Sequence, residues 1–153
     1  MKKGIQNSYP AHTGHRHQVH LIGGLDWQSD QVHALSVERK YSATFIRFVE
    51  WLCLEIYPAD PLVLVLDNVS YHRSADVMAL FALLEPRVQI LWLPKYSPDM
   101  NPIERFWLHL KNNVYANRLF TSLEHLVSHI QLWLGVQNIM HHSDRISFAK
   151  SFR

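Results

Sequence analysis

A single cysteine, Cys53, stands among the 153 residues, so neither a disulfide framework nor a cysteine metal site can form within one chain. Set among Trp51, Leu52 and Leu54, it reads as a buried structural thiol. Long apolar runs are missing as well. None approaches the roughly 20 residues of a membrane span, and no apolar stretch follows Lys2 and Lys3 to act as a signal peptide. The expectation is a cytoplasmic protein with no membrane partner. Glycine is scarce, at 5 residues, and none lies in a GxxxxGK[ST] loop, which argues against a phosphate-cradling ATPase. Charge is modest too: 18% of residues are charged and the formal net charge is +2, which suits neither an acidic disordered chain nor a polycation.

What is abundant is core material. With 48% hydrophobic and 12% aromatic residues the chain can bury one ordinary core, so one globular domain is expected. Charge is unevenly spread. Lys2, Lys3 and Arg16 meet no acidic residue before Asp26, and beyond Glu104 the cations Arg105, Lys111, Arg118, Arg145, Lys150 and Arg153 outnumber Glu124 and Asp144. Basic ends around a more acidic middle would suit a phosphate backbone, although a solvated surface is the commoner cause of such a pattern.

Met1 to Arg16 mixes Lys, Gly, Asn, Ser, Pro and His without periodicity and reads as a loop or arm. His17–Leu25 and Gln31–Val37 read as two strands joined by a turn over Asp26–Asp30. Ser42 can cap a helix whose apolar stripe is Phe45, Phe48, Val49, Leu52 and Ile56, closed by Pro58. Leu62–Leu66 is an unbroken apolar run of strand length, as in a central strand buried on both faces. Ser74 opens a second helix with Val77, Leu80, Phe81 and Leu84, closed by Pro86, and Val88–Leu93 reads as another buried strand. Pro94 to Pro102 holds three prolines and reads as a structured loop. A helix marked by Ile103, Phe106, Trp107, Leu110 and Val114 follows, and a last one from Ser122 buries Leu123, Leu126, Val127, Ile130 and Leu134. Beyond Gly135 the pattern assigns nothing. Trp51, Trp107 and Trp133 adjoin apolar stripes and read as core.

Two groups could carry chemistry. Asp67 ends the strongest strand, where open α/β sheets place ligand-binding and catalytic groups, yet Asn68 and Ser70 follow at once and would equally suit a turn. Glu104 lies in the first turn of a helix entered through Asn101 and Pro102, where Asn101 can cap, Pro102 can take the first helical position and Glu104 can close a capping box. Against these local roles stands phosphoryl transfer without a covalent enzyme intermediate. It needs carboxylates from different elements to hold two divalent cations about 4 Å apart. Mg²⁺ takes oxygen ligands and keeps waters, so a strand-end Asp and a first-turn Glu are suitable donors.

At these residues the sequence resembles a known family, the DDE endonuclease domain of bacterial insertion-sequence transposases in the Tc/mariner superfamily. Leu64-Val65-Leu66-Asp67-Asn68-Val69-Ser70-Tyr71-His72 is similar to the strand bearing that family's second catalytic aspartate. The run from Leu93-Pro94 through Trp107 is similar to the loop and helix bearing its glutamate, and Lys111 matches a lysine usual there. Looser similarity extends from Gly4 to Leu134. The resemblance implies an α/β, ribonuclease H-like fold, a mixed sheet flanked by helices, spanning residues 17–137 after an arm of residues 1–16 and before a tail of residues 138–153. Asp67 and Glu104 would be catalytic metal ligands for two Mg²⁺ or Mn²⁺ ions, with Asn68, His72, Asn101, Arg105 and Lys111 shaping the site or touching DNA.

One departure stands out. The family's first catalytic aspartate lies on a strand upstream of the segment starting at Gly4, so the expectation is a core lacking its first strand and inactive alone. Asp26, in a turn, is in the wrong place to substitute. The family's helix-turn-helix region is likewise not matched. In the intact enzyme the resemblance implies cleavage and transfer of DNA strands, with transposon ends and target DNA as partners and assembly into a homo-oligomer. The rival expectation is an inactive remnant that binds DNA or pairs with the upstream half or the full-length transposase and inhibits it. His12, His15, His17 and His20, and His125 with His129, could suggest zinc, but no cysteine accompanies them and no HExxH pattern occurs, so solvated or DNA-facing roles are expected.

Overall fold

The computed structural model describes residues 8–12, 16–95, 100–115 and 120–139, with side chains from residue 19 onward. Contacts divide the chain into two compact units, residues 1–38 with 102–153 and residues 39–101.

In the first unit, β1 (Ser8–His12), β2 (Arg16–Leu25) and β3 (Val32–Val37) form an antiparallel sheet in that order. The strand β1 lies inside the segment expected to be a loop or arm. Its five residues SYPAH include a proline and carry no alternation, and pairing with β2 from Ser8↔His20 to His12↔Arg16 supplies what local pattern does not. The β2–β3 turn falls where expected. Asp26 organises it, its carboxylate accepting from the Gln28 N–H at 2.8 Å and the Ser29 hydroxyl at 2.6 Å, while Asp30 adopts φ 59°. An Asx turn closed by a left-handed Asp is chemistry this residue type tolerates.

Helix α3 (Ile103–Leu110), a π-helical turn over Lys111–Tyr115 and helix α4 (Leu123–Ile139) belong to the same unit. All five residues of the expected α3 stripe, Ile103, Phe106, Trp107, Leu110 and Val114, are buried, and they share one core with Val19, Leu21, Val32, Phe120, Leu126, Ile130 and Leu134. The helix is counted from Ile103, and Pro102 just before it already has helical angles, φ −64° and ψ −21°, because its ring fixes φ there. Past Gly135, where the apolar pattern fails, α4 runs on to Ile139, and Asn138 explains why. Its side chain accepts from the Val32 N–H at 3.0 Å and donates to the Val32 carbonyl at 2.8 Å, bonding the helix end to strand β3.

The second unit is built from α1 (Ser42–Trp51), a π-helical turn over Leu52–Ile56, β4 (Leu62–Leu66), a 3-10 turn over Ser70–Arg73, α2 (Ala75–Leu84) and β5 (Val88–Trp92). Ser42 is the first residue of α1 and Tyr41 its cap; the Thr44 hydroxyl, not a serine, accepts the Tyr41 N–H at 3.1 Å. The expected Ser74 cap of α2 is present, accepting from the Val77 N–H at 3.4 Å. Arg87 donates to the carbonyls of Cys53 and Tyr57 beyond α1, satisfying acceptors a helix end leaves open. Cys53 is buried, as its surroundings in sequence suggested, and burial pushes its thiol pKa up.

Strands β4 and β5 pair in parallel from Leu62↔Val88 to Leu66↔Trp92. The reading of β4 as buried on both faces needs correcting. Val63 and Val65 are 64% and 50% exposed and Leu91 is 57% exposed, whereas Leu62, Leu64 and Leu66 are partly covered. A uniformly apolar run does not itself say that both faces are covered. The loop residues 96–99 and the tail from residue 140 lie outside the described residues, and no helix among those described is long and apolar enough to cross a membrane.

Gly23 of β2 shows how tightly α3 is seated. A Cβ there would stand 2.8 Å from Trp107 Cη2 and 3.0 Å from the His33 carbonyl oxygen, closer than side chains tolerate. Gly23→Ala should destabilise the protein by about 1–3 kcal/mol, the usual cost of overpacking. In a Trp107→Leu background much of that cost should vanish, as urea unfolding of the double-mutant cycle would show; strict additivity would mean that Trp107 does not rest on Gly23.

Candidate functional site

Asp67 is the first residue after β4, at the carboxyl end of the parallel pair, where the strands stop and the chain is free to present side chains. The Leu93 N–H donates to the Leu66 carbonyl at 2.8 Å, so pairing continues to the residue before the carboxylate and fixes its backbone. The chain then turns back sharply. The His72 N–H donates to the Val69 carbonyl at 3.1 Å within the 3-10 turn, which returns the imidazole to the strand end.

His72 Nδ1 lies 2.9 Å from Asp67 Oδ1, with the His72 side chain 12% exposed and that of Asp67 44% exposed. The imidazole packs against Phe45 of α1 at 4.1 Å between ring centroids and against Tyr71 at 4.5 Å. Phe45 in turn meets Phe81 of α2 edge-on at 6.4 Å and Tyr71 at 6.1 Å. Helix packing thus fixes the ring, and the ring fixes the carboxylate. The His72 hydrogen bond holds the Asp67 carboxyl below its usual range, against burial, with the charge of His72, the Val69 N–H and Lys40 adding to the effect. Burial, reinforced by the Asp67 charge, pushes the Tyr71 phenol up to about 12. At neutral pH the site therefore offers an ionised carboxylate beside a neutral phenol. A half-exposed carboxylate of this kind is a hard oxygen donor that fits a Mg²⁺-type cation.

Asn68 points the other way along the strand end. Its amide NH₂ donates to the Leu93 carbonyl at 2.5 Å, which leaves its Oδ1 facing Arg73; the guanidinium donates to that oxygen at 2.5 Å and stacks 4.1 Å above the Trp92 ring. Sequence reasoning missed Arg73. No periodicity marks it, and only the 3-10 turn brings it back over β5.

The structure thus brings Asp67, Asn68 and His72 together. Glu104 and Arg105 lie on the first turn of α3 in the other unit, with Lys111 in the π-helical turn beyond it. Burial of Ile103, Phe106 and Trp107 leaves Glu104 on the exposed side of α3. Asn101, just before the helix, is half-buried. Among the described residues no three His, Cys, Asp or Glu side chains gather as a metal cluster. His125 and His129 pack against Phe120, each at 5.6 Å between ring centroids, and the His125 ring also contacts the Thr121 hydroxyl. The side chains of His12, His15 and His17 lie outside the described residues.

Comparison with known proteins adds four findings. The family model described as DDE superfamily endonuclease matches residues 1–127. The insertion element IS630 uncharacterized 39 kDa protein of Shigella sonnei is 25% identical over 118 residues, covering 77% of this chain and 34% of that protein. The uncharacterized protein y4pE/y4sA of Sinorhizobium fredii (strain NBRC 101917 / NGR234) is 28% identical over 67 residues, or 44% of this chain and 46% of that one. The chain therefore spans between a third and a half of the length of these relatives. Among solved structures, a chain of the simian T-cell lymphotropic virus intasome in complex with PP2A regulatory subunit B56 gamma superposes with a TM-score of 0.70 at 16% identity, covering 88% of this chain and 46% of that one. That likeness bears out the ribonuclease H-like α/β fold.

The dependence of Asp67 on His72 can be read directly. His72→Ala should raise the Asp67 carboxyl toward the ordinary value of about 3.9, followed by side-chain carboxyl NMR titration. The sign for stability follows from the lowered folded pKa. The contribution is complete above the unfolded value and is lost as pH falls through the folded one, so the variant should lose part of the acid sensitivity of unfolding. An unchanged Asp67 titration would show that the imidazole does not hold the carboxylate.

Proposed function

Because this chain belongs to the DDE superfamily endonuclease family, matched over residues 1–127, we propose that it is part of the catalytic core of an insertion-sequence transposase. DNA is its substrate: transposon ends, then target. In this reading Asp67 and Glu104 are its metal-holding carboxylates. The observation that carries the proposal is the ionised, half-exposed Asp67 carboxylate at the carboxyl end of a parallel strand, oriented by a buried imidazole. Ligating carboxylates are themselves usually held by hydrogen bonds, and His72 does this for Asp67.

Held by such carboxylates, Mg²⁺ or Mn²⁺ would supply an activated oxygen nucleophile and charge stabilisation for in-line displacement at a DNA phosphate. The chain's own residues do the rest. His72 keeps Asp67 deprotonated and correctly turned, and the apolar side of α3 keeps Glu104 on its exposed side. Asn68 braces the strand end, and Arg105 and Lys111 place positive charge on the same helical segment as Glu104. Strand cleavage and strand transfer need no change in these roles, only a different nucleophile.

The resemblance assigns a third carboxylate to a strand ahead of the matching segment. No acidic residue precedes Asp26 in these 153 residues. The 153-residue chain alone should therefore nick supercoiled plasmid no faster than background in Mg²⁺ or Mn²⁺. Within a longer protein that includes the upstream strand, nicking should appear and fall more than about a hundredfold in Asp67→Ala and in Glu104→Ala, the scale expected for lost metal support. Nicking by the short chain that Asp67→Ala abolishes would show that the third carboxylate is dispensable. Full activity of either variant in the longer protein would remove its residue from the site.

A further inference from the structure

We propose that Arg73 is a phosphate-binding residue of this site, gripping the DNA backbone beside Asp67; the inference rests on the DNA reading above. Arg73 is exposed, but it is not loose. One guanidinium nitrogen donates to Asn68 Oδ1 at 2.5 Å, and the guanidinium Cζ lies over the Trp92 ring, 4.1 Å from its centroid. Asn68 cannot rotate away without losing its own bond to the Leu93 carbonyl. Both partners of the guanidinium are neutral, and among the described residues no carboxylate forms an ion pair with it. A full positive charge is therefore held in place by two neutral groups.

The placement matters as much as the charge. Trp92 pairs with Leu66, the residue before Asp67, so Arg73 stands over the end of β5 while Asp67 stands at the end of β4. Asn68 uses one of the five guanidinium N–H groups, and the remaining fork suits two oxygens of a phosphate. Stacking on Trp92 removes in advance the side-chain freedom that an exposed arginine would lose on binding. A purely structural arginine, fastening the turn to β5, would need the plane and the hydrogen bond but not the charge.

That difference is the test. Arg73→Gln keeps a planar, hydrogen-bonding head on a shorter stem and removes the charge. Binding of the 153-residue chain to a fluorescent duplex oligonucleotide is followed by anisotropy from 50 to 200 mM KCl. Loss of one phosphate contact should lower the salt slope by about 0.9 and weaken binding about eightfold at 0.1 M salt. Arg73→Lys should keep most of the slope. Arg47→Gln, an equal charge loss on the exposed side of α1, should leave the slope at its wild-type value.

A wild-type slope and affinity in Arg73→Gln would overturn the inference, as would an equal drop in Arg47→Gln. In the unsubstituted protein the Arg73 side-chain Nε–H resonance should shift on adding the duplex, a reading free of any folding defect in the variants; no shift would also overturn it. If the unsubstituted chain binds no DNA, the DNA reading falls first and the inference with it.

Discussion

A charged carboxylate at a strand end is useful only if something holds it, and here the holder is an imidazole pressed between aromatic rings. His72 is positioned by Phe45 and Tyr71 and reaches Asp67 Oδ1 at 2.9 Å. Phe45 comes from α1 and packs on Phe81 of α2, so the helices that bury the second unit's core also fix the carboxylate. The 3-10 turn over Ser70–Arg73 serves both sides of the strand end: it returns His72 to Asp67 and Arg73 to Asn68 and Trp92. The local chemistry of the unit follows from that one tight turn after β4. Without it Asp67 would be an ordinary turn aspartate, the competing reading of its sequence context.

Much of this was legible in the residues. Helical stripes were read correctly wherever burial alone sets the pattern, as in the five buried positions of α3 and its π-helical extension or the Leu126, Ile130 and Leu134 line of α4. The Ser74 cap and the Asp26 turn were legible because single side chains specify them. What escaped depends on partners distant in sequence. Strand β1 has no alternation of its own and is defined by its pairing with β2. The end of α4 is defined by Asn138 bonding Val32, a contact across 106 residues that no local pattern announces. Composition alone also misled, since the apolar run of β4 suggested two covered faces and the structure exposes Val63 and Val65.

The same division applies to the site. Asp67, Asn68 and His72 stand out in the sequence because they sit in one motif, and the structure sets His72 Nδ1 against Asp67 and bonds Asn68 to the end of the neighbouring strand. Arg73 was not found, because its significance lies in a stack on Trp92 at the far end of the next strand. Glu104 was found as a first-turn helical carboxylate, and the burial of Ile103, Phe106 and Trp107 explains its exposure. Its local role near the helix start and its proposed role as a metal ligand need the same thing, a carboxylate held outside the apolar core at the start of α3.

The central claim is that the Asp67 carboxylate, turned and kept ionised by His72, is the divalent-cation ligand proposed at the end of β4. The most direct measurement is anomalous diffraction from crystals of the protein soaked in Mn²⁺. The account predicts a peak within about 2.0–2.6 Å of an Asp67 carboxylate oxygen, the range of hard-cation ligation. No manganese at Asp67 at saturating concentration would contradict it.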